Sequence, residues 1–164
     1  MRVNTYKVML NADQHNFLVK ESAQNYSEEG SFTSIDSVAN VLCGVFQMDR
    51  LAEEHCILIG VNSENKPVGF FELSHGNVCS SIVAPREIFI RLLLSGSVRF
   101  LLAHNHPSGD PSPSQEDRIL TKRLIECGKL MGVELLDHII IGRNDSSGRY
   151  TYYSLRMQSN LFDS

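Results

Sequence analysis

Residues 5–21, TYKVMLNADQHNFLVKE, read as two short strands around a polar turn formed by Asn11, Asp13 and Asn16. SAQNYSEEGS (22–31) is polar, closes on glycine and reads as a linker. From Ser34 the apolar period becomes helical: Ile35, Val38, Ala39, Leu42 and Phe46 share one face, with Ser34 or Asp36 as cap. HCILIGVN (55–62) is a buried strand, SENK (63–66) a turn, and PVGFFELS (67–74) the returning arm of a hairpin. Pro85 occupies a first helical position and PREIFIRLLLSG ends at Gly96.

VRFLLAHNH (98–106) is apolar on both faces at Phe100, Leu101, Leu102 and Ala103, the mark of a central strand covered twice. After a polar loop, Ser112 as N-cap, Pro113 at the first position and Gln115 in a capping box open an amphipathic helix that ends at Gly132. VELLDHIIIG (133–142) is another buried strand, RNDSSG a turn, and RYTYYSL (149–155) the last strand. Strands and helices alternate. The expected class is therefore α/β, a mixed sheet with helices on both faces. The expected division is a strand pair and linker over 1–33, then a principal domain over 34–164.

A chain of 164 residues suffices for one compact core. No apolar run is long enough to cross a bilayer, and the N-terminus lacks the apolar core of a signal peptide, so a cytoplasmic location is expected. Cys43, Cys56, Cys79 and Cys127 are scattered without a C-x-x-C pair and read as buried free thiols, not a disulfide frame or a zinc cluster. A net charge of −4 argues against a broad nucleic-acid footprint, which needs a concentrated basic surface.

The candidate chemistry sits in AHNHPSGDPSPSQED (103–117). His104 and His106, two apart at a strand end, point to the same side. Asp117 falls in the first turn of the next helix, beside that strand end, where crevices form in α/β folds. Two imidazoles and a carboxylate supply three ligands of tetrahedral zinc and leave a fourth position for water. Each residue also has a plain structural role: a hydrogen-bonded histidine pair, an acidic residue at a helix N-terminus, a serine in a capping turn. Asp110 is a rival ligand. His55 and His138 read as strand residues, the first facing away from the metal and the second a core histidine or a support for the site. His15 and His75 read as turn residues.

The spacing His104-x-His106-x7-Ser114-x2-Asp117 resembles the JAMM motif of the JAB1/MPN superfamily. HNHPSGDPSPSQED followed by LLDHIIIG is more narrowly similar to the RadC family, over roughly residues 35–156. The resemblance implies a three-layer α/β/α, cytidine-deaminase-like fold with one Zn2+ held by His104, His106 and Asp117. It also implies a glutamate ahead of an apolar strand, acting as general base for the water that zinc activates. Glu54 is the matching position, with Glu53 beside it as a rival. Ser114 would help hold the oxyanion.

The implied activity is a zinc-dependent hydrolase of the metallopeptidase or isopeptidase type, with a peptide or isopeptide-linked protein as substrate. The alternative is a DNA-repair-associated accessory protein whose pocket is structural or vestigial. The helix-hairpin-helix region that full-length RadC proteins carry is not matched by residues 1–33, which are too short and too strand-like. An HNH nuclease spreads its three residues over a ββα unit, whereas His104-Asn105-His106 are consecutive. A nucleobase deaminase needs H-x-E and P-C-x-x-C, and neither occurs. Substrate specificity is expected from the groove walls, with FFELSHGNVCSS (70–81) as the candidate segment.

Overall fold

A computed structural model describes residues 1–27, 30–76, 83–144 and 146–163. Seven strands form one mixed sheet: β1 (Arg2–Leu10), β2 (Asn16–Asn25), β3 (His55–Val61), β4 (Pro67–His75), β5 (Arg99–Asn105), β6 (Glu134–Asn144) and β7 (Arg149–Ser154). Their spatial order is β2-β1-β4-β3-β5-β6-β7. The pairs β1/β4 and β5/β6 are parallel and the others antiparallel. Among the described residues the helices are α1 (Ile35–Phe46), α2 (Pro85–Ser95), α3 (Gln115–Met131) and the short α4 (Leu155–Gln158). None is long and apolar enough to cross a membrane.

The alternation of each strand sends its two sets of side chains into two separate cores. On one face Val38, Ala39, Val41 and Leu42 of α1 pack against Ile57, Ile59, Leu101, Ala103, Ile139 and Ile141. On the other, Ile88, Phe89 and Leu92 of α2 and Leu120 and Leu124 of α3 cover Cys56, Leu58, Phe100, Leu102 and Leu135. This is the α/β architecture with helices on both faces that the sequence leads one to expect. Burying both faces of β3 and β5 explains why these strands are continuously apolar.

Several expectations are corrected. The segment read as linker from residue 22 begins as strand: β2 runs to Asn25, its polar end paired with Arg2–Thr5 and bridged by a 2.8 Å hydrogen bond between Thr5 Oγ1 and Ser22 Oγ. A polar strand at a sheet edge has no buried face to reveal it. His75 is not in a turn; it ends β4 opposite His55. The last strand stops at Ser154, whose hydroxyl caps α4.

The helix after the histidine loop starts two residues later than its Ser112-Pro113 start signal suggests. Ser114, not Ser112, is the N-cap, and Asp117, not Gln115, completes the capping box. The carboxylate of Asp117 accepts both the Ser114 N–H (2.8 Å) and the Ser114 hydroxyl (2.6 Å), while the Ser114 oxygen accepts the Asp117 N–H (3.1 Å). A charged partner makes these the stronger bonds, and Gln115 offers none. Ser112 instead gives its N–H to the Asp110 carboxylate at 2.9 Å, and the Ser112 hydroxyl first, then this N–H, hold that carboxyl below the usual range.

Of the cysteines, Cys56 is buried, Cys43 and Cys127 are half-buried, and no disulfide joins these three. Burial first, and then the nearby Asp49 carboxylate, pushes the Cys43 thiol up to about 12, so it is protonated at neutral pH. Cys79 lies outside the described residues, as do positions 77–81 of the candidate specificity segment.

Candidate metal centre

Three elements meet at one end of the sheet. β5 ends at His104 and Asn105, and α3 begins at Ser114 and Asp117 before the chain returns as β6 beside β5. β3 runs antiparallel to β5 with Cys56 opposite His104, so the start of β3 lies against the end of β5. That register carries Glu54, fifty residues upstream, to the histidines. Alternation puts Glu54 on the Cys56 side, which is also the His104 side.

The loop after β5 is fixed by β6. His106 N–H donates to the Ile141 carbonyl and Arg143 N–H to the Gly109 carbonyl, each at 2.9 Å. Gly109 turns the loop with φ +87°. A Cβ on Gly142 would collide with the Gly109 carbonyl oxygen and stand 2.8 Å from Pro111 Cδ. Only a glycine in β6 lets the loop lie close enough to aim His106.

Four side chains converge. His104 Nε2 lies 3.1 Å from His106 Nε2, 3.3 Å from Asp117 Oδ1 and 3.7 Å from Glu54 Oε1; His106 Nε2 lies 3.7 Å from Asp117 Oδ2. Glu54, His104 and His106 offer donor atoms that all fall within 4.8 Å of one another and could hold a metal ion. Of the two carboxylates, Asp117 is 1% exposed and anchored by the capping box, whereas Glu54 is 14% exposed. Glu53 turns elsewhere, its carboxylate lying against Gly76. His55 faces away: its Nδ1 meets Glu72 at 2.6 Å and its ring stacks on His75. Asp110 meets His106 through its main-chain carbonyl, 2.9 Å from His106 Nδ1.

The hydrogen bonds around the histidines fix where their protons are. Thr121 Oγ1 donates to the Asp117 carbonyl, which can only accept, at 2.6 Å. Its oxygen therefore accepts from His138 Nδ1, also at 2.6 Å. Burial first, and then any charge on the neighbouring His104, pushes His138 down to about 3, so the ring is neutral and its Nε2 is a bare acceptor. His104 Nδ1 must then donate to it at 2.9 Å, leaving His104 Nε2 as a lone pair in the neutral ring. His106 Nδ1–H donates to the Asp110 carbonyl, so its Nε2 is a lone pair as well in the neutral ring.

Two nitrogen lone pairs 3.1 Å apart, beside two carboxylates, repel one another unless a cation or a proton lies between them. A proton taken up on His106 Nε2 is held by Asp117 and, against the opposing effect of burial, this raises His106 above its ordinary value. Burial would raise Asp117, but a proton on the facing His104 or His106 Nε2, together with the Ser114 hydroxyl, holds its carboxyl well below the usual range. A tetrahedron with metal–ligand bonds of about 2.0–2.1 Å has edges of about 3.3–3.4 Å. The contacts of 3.1 to 3.7 Å bracket that edge, Asp117 meeting His104 through Oδ1 and His106 through Oδ2, so these residues could hold such an ion beside the Glu54, His104 and His106 group.

Thr121 and His138, both fully buried, are the neighbours bonded to the histidine cluster that the sequence alone underweights. A signal existed, since Thr121 is one helical turn beyond Asp117 on the same face. Thr121→Val is expected to leave the His138 Nδ1–H unpaired, lowering stability by about 1–3 kcal/mol and metal affinity roughly 10–100-fold. Chelator competition on the purified variant checks the affinity, and its thermal melt checks the stability. Undiminished affinity would mean that the chain of bonds does not orient His104.

Residues 32–160 match the RadC-like JAB domain. A UPF0758 protein of Alkaliphilus metalliredigens is 44% identical over 126 residues, 77% of this chain and 51% of that protein. One of Enterococcus faecalis is 45% identical over 135 residues, 82% of this chain and 54% of its own length. One of Desulforamulus reducens is 45% identical over 105 residues, 63% of this chain and 46% of its own length. The chain thus spans about half the length of the curated relatives it matches. With its matched segment running from before α1 to beyond α4, this chain belongs to the RadC family, as a RadC-like JAB domain of the JAB1/MPN superfamily.

Proposed function

We propose that this domain is a zinc-dependent hydrolase that cleaves an amide bond in a peptide or an isopeptide-linked protein. The observation that carries the reading is the convergence of two oriented imidazole lone pairs with one buried and one accessible carboxylate. His104, His106 and Asp117 would hold the ion. Zinc bound there would supply a Lewis acid and make water acidic enough to lose a proton near neutral pH.

The carboxylates divide the remaining work by exposure. Asp117 is tied down by Ser114 and is suited to stay as a ligand. Glu54 reaches the cluster from the residue just ahead of β3, is partly exposed, and is suited to carry a proton. In hydrolysis Glu54 takes a proton from the attacking water as its oxygen bonds to the carbonyl carbon, then gives it to the nitrogen as the C–N bond breaks. Ser114 is assigned to the developing oxyanion, for which its hydroxyl must turn from Asp117 Oδ2.

The test is hydrolysis of peptide and isopeptide-linked libraries by the zinc-loaded chain, with chelator as control. Chelator-sensitive cleavage supports the reading; a loaded protein that cleaves neither class sinks it. In the same assay Ser114→Ala is expected to slow cleavage about 10²–10³-fold. It should also lose about 1 kcal/mol of stability with the cap. A rate equal to wild type would leave Ser114 only its capping role.

A further inference from the structure

Asn105 stands between the two histidines in sequence and on the opposite face of β5. It is 1% exposed, and both ends of its amide are engaged. Oδ1 accepts the His55 N–H at 2.7 Å, and Nδ2 donates to the Glu53 carbonyl at 3.0 Å. Those groups belong to the two peptide planes that flank the Glu54 Cα. The second plane is held again where the Glu54 carbonyl accepts the Gly76 N–H at 3.0 Å.

We propose that Asn105 is the positioning residue for Glu54, clamping both peptide planes so that the glutamate carboxylate is delivered to the histidine cluster. Fixing two adjacent planes fixes the backbone dihedrals between them, and hence the direction of the Cα–Cβ bond. The side chain does here what ladder hydrogen bonds do further along β3, at a point where residues 51–54 lie outside any strand. A primary amide suits the task because it offers an acceptor and a donor in one plane. Aspartate lacks the donor, and an aliphatic isostere would leave a buried N–H and a buried carbonyl without partners. The clamp couples the two halves of the site: the strand that carries His104 and leads into His106 also sets the base. Its consequence for catalysis rests on the hydrolase reading, whereas the clamp itself is a property of the fold.

The experiment compares wild type, Asn105→Ala and Glu54→Gln as full chains. Amide hydrogen exchange at His55 is read in metal-free protein, visible absorption in cobalt(II)-loaded protein, and kcat and KM on any peptide the wild type cleaves. Asn105→Ala is expected to speed His55 exchange at least about tenfold. Its cobalt bands should move from the wild-type position towards those of Glu54→Gln, with metal content unchanged. Its kcat should fall roughly 10–100-fold at unaltered KM, as for loss of an orienting partner. Wild-type exchange and wild-type cobalt bands in Asn105→Ala would overturn the proposal. A wild type that binds cobalt and cleaves nothing removes the hydrolase reading, and exchange and absorption still decide the clamp. Should the wild type take up no cobalt, His55 exchange alone decides it. Should alanine fail to fold, Asn105→Ser takes its place, with the same readouts and the same outcomes for and against the clamp.

Discussion

Wild-type protein loaded with zinc is expected to carry about one ion per chain, and the His104→Ala, His106→Ala double variant none. The reason lies in the proton inventory of the site. The bonds from Thr121 through His138 to His104, and from His106 to the Asp110 carbonyl, leave both Nε2 atoms facing one space as acceptors. Asp117 adds a carboxylate tied in place by the N–H and hydroxyl of Ser114. A site with this much uncompensated electron density gains from a cation, and the gain adds to folding stability because the unfolded chain does not assemble the donors. At free zinc about 1,000 times the dissociation constant the gain is about 4.1 kcal/mol. For a chain of this size that raises Tm by roughly 8–16 °C. The double variant should melt at the same temperature with and without zinc. Metal analysis and paired thermal melts check this, and a wild type that takes up no zinc and shows no shift would refute the metal centre altogether.

How much of this site the sequence discloses depends on how local each relation is. His104 and His106 share a side because strands alternate, and Asp117 lies near them because the chain turns directly from β5 into α3; both follow from short-range geometry. The cap at Ser114 is equally local, yet Ser112-Pro113 is a competing start signal, and a charged partner for Ser114 decides between them.

Glu54 is different. Its place depends on β3 pairing antiparallel to β5 with Cys56 opposite His104, and strand partners fifty residues apart leave no periodic trace. The same holds for His138, which reaches His104 from β6, and for Asn105, whose amide reads as a polar interruption until its partners across the sheet are known. Apolar patterning fixes the two cores because burial repeats with the period of each element. The polar contacts that complete the centre are single events between distant segments. That difference also explains the misread linker: residues 22–25 pair along a solvent-facing edge, where no apolar period is required.

Glu54→Gln is expected to retain zinc and lose hydrolysis by roughly 10²–10⁴-fold. The glutamine keeps the length and hydrogen-bonding shape of the side chain but cannot take a proton, so the substitution separates holding the site together from moving the proton. Since each tenfold loss corresponds to about 1.36 kcal/mol of barrier, the expected penalty is about 3–5 kcal/mol. KM should change little, because the glutamate acts on the water and not on the ground-state contacts of the substrate. Glu53→Gln is the control: its carboxylate lies against Gly76, and its rate should stay near wild type. If Glu54→Gln instead lost the metal, Glu54 would be a ligand in its own right, as its donor distance to His104 permits. If it kept both metal and rate, the proton would travel by another route. Measuring zinc content and kcat on the same preparation distinguishes the three outcomes, and only metal retained with the rate lost assigns the proton transfer to Glu54.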